Sequence, residues 1–151
     1  MNDVYINILI ESLREKSRLL DELFLIDVEQ SRVLMPDKPD RDAVDENLQK
    51  SVKIAEEING LDDGFESVYK KVRSELIDNS VRHKKEIALL KELISEVTEK
   101  SVKIMATENR NRDAASEKFV FSTKKARSTV HDAASVSGKY KTAMKKVMVQ
   151  E

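Results

Sequence analysis

The 151-residue chain has no cysteine and no tryptophan, and only two prolines and three glycines. Without cysteine there is neither a disulfide framework nor a thiolate metal site. So few glycines and prolines leave little material for tight turns, which argues against sandwiches, barrels and Rossmann-type folds. Charge of one sign is also lacking: 27 basic and 28 acidic residues give a formal net charge of −1. That balance does not suit a chain that binds nucleic acid along its whole length. Long apolar runs are missing too. Runs such as Ile8-Leu9-Ile10 are too short for a membrane span. The opening Met1-Asn2-Asp3 carries no basic and apolar leader. The expected location is the cytoplasm, with no stable membrane insertion.

What is present is helical periodicity. The length fits one domain, and the expected class is all-α: an antiparallel helical hairpin, one very long coiled-coil-like helix and a C-terminal amphipathic tail. A first helix is predicted over about 3–34. Ile6, Leu9, Leu13, Lys16, Leu20, Leu23 and Asp27 follow the alternating 3-4 spacing of a coiled-coil seam, with Ile10 and Phe24 widening the stripe. Pro36 and Pro39 end it, since each removes an amide donor and pushes the preceding residue out of helical geometry.

A second helix is expected from Asp40 or Asp42 to Ile58, with Asp40, Asp42, Asp45 and Glu46 crowding its positive end. Val44, Leu48, Val52, Ala55 and Ile58 form its apolar face, and Asn59-Gly60 reads as a stop. Asp62 or Asp63 would cap a third helix over 63–115, which contains no proline and only Gly64. Its stripe runs through Tyr69, Val72, Leu76, Asn79, His83, Ile87, Leu90, Ile94, Val97, Ser101, Ile104, Glu108 and Asn111. The step Asn79–His83–Ile87 is 4-4 and should relax any supercoil locally.

Composition changes after residue 115. Residues 116–151 hold eight Lys/Arg and three Asp/Glu, a balance of +5, which leaves −6 for residues 1–115. Phe119, Ala126, Val130, Ala133, Ser137, Tyr140, Met144 and Val147 still trace a helical stripe, weakly apolar and dependent on a partner for order. Lys124-Lys125-Ala126-Arg127 could meet phosphates, but the charges are sparse and alternate with apolar anchors, so binding of a protein partner, or a helix folded back on the acidic body, is expected ahead of nucleic acid or a membrane surface.

No enzyme signature is found, and no cofactor or metal is expected. His83 and His131 lack a second ligand at helical spacing, and His83 reads as a polar seam or flank residue. The acidic run Asp37, Asp40, Asp42 and Asp45 lacks the central glycine and terminal glutamate of a calcium loop. Neither a phosphate-cradling glycine loop nor a nucleophile with an identifiable base is present.

Four stretches carry a resemblance: Ile8-Leu9-Ile10-Glu11-Ser12-Leu13 leading to Leu19-Leu20-Asp21-Glu22-Leu23; the helix Asn47 to Ile58; Leu89-Leu90-Lys91-Glu92-Leu93-Ile94-Ser95-Glu96-Val97; and Glu108-Asn109-Arg110-Asn111. In these the chain resembles the flagellar export chaperones of the FlgN family. The resemblance implies a non-enzymatic chaperone that binds flagellar hook–filament junction proteins and the export apparatus, keeping clients unassembled for type III export. It places client binding in residues 116–151, with Phe119, Val130, Tyr140, Met144, Val147 and Met148 as the candidate contacts. Aromatic and methionine side chains adapt to a partner surface and carry much of its binding energy. The competing expectation is a structural coiled-coil scaffold or dimeric spacer, and a homo-oligomer is left open.

Overall fold

A computed structural model describes residues 2–119, and among these the fold is all-helical, with no strand. Helix α1 spans Asn2–Val33, α2 Arg41–Asp78 and α3 Lys84–Lys118. Asp3 lies in the first turn of α1 and Arg32 in its last, the arrangement the helix dipole favours. The connection carrying Pro36 and Pro39 then breaks the helix where the sequence requires it. Asp40 caps α2, its Oδ1 accepting from the Asp42 amide at 3.0 Å.

Two expectations fail here. The stop at Asn59-Gly60 does not occur: α2 continues through Gly60 and Gly64 to Asp78. Asp62 and Asp63 are therefore mid-helix residues and not caps. Each glycine costs a helix about 1 kcal/mol relative to alanine. The cost is offset because Ile58, Asp62, Phe65, Tyr69, Val72 and Leu76 make a continuous buried face across the two glycines. The single helix expected over 63–115 is likewise divided, by a turn at residues 79–83. No glycine or proline makes that turn. The Asn79 amide bonds to the Glu75 carbonyl at 2.9 Å, and the His83 amide to the Asn79 carbonyl at 3.2 Å. His83 is thus the N-cap residue of α3 and not part of a helical stripe.

The reason for the turn lies in α1. Its contacts with α2 run in opposite chain directions, as Lys16 with Asp62 and Gln30 with Val44 show. Its contacts with α3 run in the same direction, from Ser17 with Lys100 to Ser31 with Asn111. The three helices therefore go up, down and up, with α1 packed closely on both others. One continuous helix could cover only one side of α1. Folding back lets two segments cover both.

The core is unevenly distributed. Eighteen buried apolar side chains fill the lower bundle, among them Leu9, Leu13, Leu20, Phe65, Val72, Ile87, Leu90 and Ile104. Among the described residues, the opposite end, where α1 leaves for α2 and where α3 finishes, has three buried apolar side chains, Leu34, Val44 and Ala115, with Val33, Ala114 and Phe119 partly buried against them. A Cβ added at Gly60 or Gly64 would meet nothing within 4 Å, and neither glycine has positive φ. Gly60→Ala and Gly64→Ala are each expected to raise unfolding stability by about 0.5–1 kcal/mol, measured by urea denaturation.

Candidate functional site

The seam residues read from α1 are all buried, including the two charged ones, Lys16 at 0% exposure and Asp27 at 3%. Each charge meets a partner across the bundle. Lys16 Nζ donates to Asp62 Oδ1 at 3.3 Å, inside the lower core. Burial outweighs the attraction of Asp62 and holds the Lys16 ammonium down to about 8. Desolvation of this kind makes a buried ion pair weak evidence of net stabilisation.

Asp27 begins a second, wholly polar layer between the large core and the small end cluster. Ser51 Oγ of α2 lies 3.3 Å from Asp27 Oδ1, and Asn111 Nδ2 of α3 donates to the Asp27 carbonyl at 2.8 Å. Ser31 donates to Asn111 Oδ1 at 2.6 Å, and Gln30 Nε2 to the Val44 carbonyl at 3.0 Å. Glu108, buried one helical turn before Asn111 on α3, belongs to the same layer as Asp27. Burial raises both carboxyls above the ordinary range, and Glu108 is raised further by the charge of Asp27 beside it.

Above the polar layer the segment 120–151 takes its origin. Phe119 is half-buried against the end cluster, its backbone extended at φ −130° and ψ 147°. The Arg41 guanidinium stands 5.3 Å from the centre of its ring. Lys118 Nζ donates to the carbonyls of Leu34 and, at 3.0 Å, Met35, tying the end of α3 to the end of α1. Of the six candidate contacts, the structure places only Phe119, which is packed on the bundle end. Val130, Tyr140, Met144, Val147 and Met148 lie outside the described residues.

His83 is buried at the opposite end of the bundle, its Nε2 2.7 Å from Glu75 Oε2. That bond is the main cause lowering the Glu75 carboxyl below its usual range. It braces the turn between α2 and α3. On the outer face of α1 and α2, Val4, Ile8 and Leu61 line an open groove of about 470 Å³. Its rim residues Glu11 and Glu15 are already engaged by Arg14 and Arg18. Among the described residues no three His, Cys, Asp or Glu side chains converge as metal ligands, and no helix is long and apolar enough to cross a membrane.

The structure thus defines an all-α three-helix bundle with a polar layer beneath the root of a basic segment. Comparison with family models, with curated proteins and with solved structures gives no match.

The pairings Lys16–Asp62 and Asp27–Glu108 were missed in the sequence. Charged residues at seam positions were the signal, but nothing local says which charge faces which. Lys16→Met takes the ammonium from beside a buried carboxylate and should cost about 3–5 kcal/mol. Lys16→Met combined with Asp62→Leu should recover that loss or exceed it by about 1–4 kcal/mol, both measured by urea denaturation. The pH dependence has a definite sign. A lysine held down to about 8 binds fewer protons folded than unfolded, so its contribution to stability should rise from about pH 8 toward its ordinary value.

Proposed function

We propose that this chain is a non-enzymatic cytoplasmic chaperone of the flagellar export type, similar to the FlgN family, with client binding in residues 116–151. One observation carries the reading. The seam of residues 2–115 is consumed within a single chain, while the basic, amphipathic segment 120–151 starts from an anchored root at Lys118 and Phe119. A dimeric spacer would need Leu9, Leu13, Leu90 and Val97 on an open seam, and all four are buried against their own chain. That favours the chaperone over the scaffold.

The mechanism is one of mutual ordering. An apolar helix of an unassembled hook–filament junction protein lies along the stripe of Val130, Tyr140, Met144 and Val147, as in helix-in-groove recognition. Lysines between those anchors select an acidic partner surface. The bundle holds the root of the segment and makes no chemical step. Phe119 belongs to the root, so its contribution is to fix where the segment starts.

The test is capture of hook–filament junction proteins by the full chain and by a Met144→Asp, Val147→Asp variant. The full chain should retain a junction protein and the variant should lose it, with helical circular dichroism unchanged. Capture by neither, or equally by both, would count against the proposal.

A further inference from the structure

We infer that Asp27, Glu108 and Ser51 form a buried proton-binding site that locks the upper end of the bundle, and that loss of its proton loosens that end together with the root of the segment after Phe119. The inference goes beyond the chaperone reading and does not require it.

The geometry carries the argument. Asp27 and Glu108 are 3% and 6% exposed. Asp27 Oδ2 and Glu108 Oε1 have no donor among the described residues, and Asn111, one helical turn beyond Glu108 on α3, donates to the Asp27 carbonyl at 2.8 Å, which brings the two buried carboxyls into one layer. Two carboxylates so placed cannot both be ionised without large repulsion. One proton held between them supplies the missing donor and leaves a single negative charge beside the Ser51 hydroxyl, which lies 3.3 Å from Asp27 Oδ1 and 3.3 Å from the Asn47 carbonyl. The pair titrates as a unit.

Among the described residues no lysine or arginine reaches Asp27 Oδ2 or Glu108 Oε1 to replace that proton. From α1 the layer receives Asp27, Gln30 and Ser31, from α2 Asn47 and Ser51, and from α3 Thr107, Glu108 and Asn111. The nearby basic groups have partners other than the two carboxyls. Lys103 lies 4.2 Å from the centre of the Phe24 ring, and Arg110 donates to Thr107. The Lys50 charge acts on Glu29. The raised proton affinity of both carboxyls agrees with this setting.

Location turns the site into a device. Among the described residues, eighteen buried apolar side chains hold the bundle below it and three above it. Repulsion between two ionised carboxylates therefore opens the upper end first. That end contains Leu34, Val44 and Ala115, and on it rest Lys118 and Phe119.

The sign follows from linkage. Carboxyls with raised affinity in the folded state bind more protons folded than unfolded, so the lock weakens as pH rises through their titration and is firm below it. Hydrogen exchange of the full chain, corrected for the intrinsic pH dependence of exchange, reads this directly. Protection over residues 104–118 should fall about tenfold or more between pH 6 and pH 9, while residues 9–20 stay constant. In Asp27→Asn, Glu108→Gln the fall should vanish. Protection that is flat in the unsubstituted chain, or that falls equally in the variant, overturns the inference. If the variant does not fold, carbon-13 titration of carboxyl groups in the unsubstituted chain decides. A carboxyl titrating well above the ordinary range supports the site, and ordinary values for all carboxyls refute it.

Discussion

The width of the apolar stripe on α1 is the constraint from which the rest of the structure follows. Ile6, Leu9, Leu13, Leu20 and Leu23 make one seam, and Ile10 and Leu19 extend it sideways until one partner helix cannot cover it. At about 25 cal/mol per Å² of apolar surface, leaving either flank wet would be costly. The chain answers by supplying two covering helices from one apparently continuous helical sequence. The turn at 79–83, the up-down-up order and the meeting of all three helices at the polar layer are consequences of that demand.

The same demand explains why local signals lost where they lost. Asn59-Gly60 is a good stop by its own chemistry, yet ending the helix there would interrupt the buried face from Ile58 through Asp62 to Phe65. Tertiary burial outweighed two glycine penalties. At Asp78-Asn79-Ser80 the balance reversed. Side chains that compete for backbone hydrogen bonds weaken the helix, and His83 with Glu75 then holds the turn. Neither outcome follows from residues within one turn of the site.

Much of the packing was nevertheless legible. The 3-4 spacing assigned Lys16 and Asp27 to the seam of α1, and Ser101, Glu108 and Asn111 to that of α3, despite their polarity; all five are buried. Periodicity is a property of the backbone, so it survives a polar substitution. In α2 Val44, Ala55 and Ile58 are buried as read, but between them the reading slipped by one position: Asn47 and Ser51 are buried, while Leu48 and Val52 are half-exposed. Hydrophobicity misled there because the layer facing them is polar. Which charge pairs with which depends on contacts 46 residues apart for Lys16 and Asp62, and no sequence period encodes that. Of the candidate client contacts, only Phe119 falls within the described residues.

The bundle's polar layer and its rooted basic segment both depend on α2 and α3 being separate helices folded over α1. Glu57 and Glu99 are exposed and, through the contacts of Lys16 with Asp62 and of Asp21 with Lys100, lie at similar heights on the bundle. Spin labels on cysteines introduced at these two positions report the arrangement without interference, because the chain has no cysteine of its own. The folded-back bundle predicts a narrow electron–electron distance of roughly 20–30 Å, two helix diameters plus label arms. A distance near 60 Å, the length of an unbroken helix between the two sites, would contradict the account at its base.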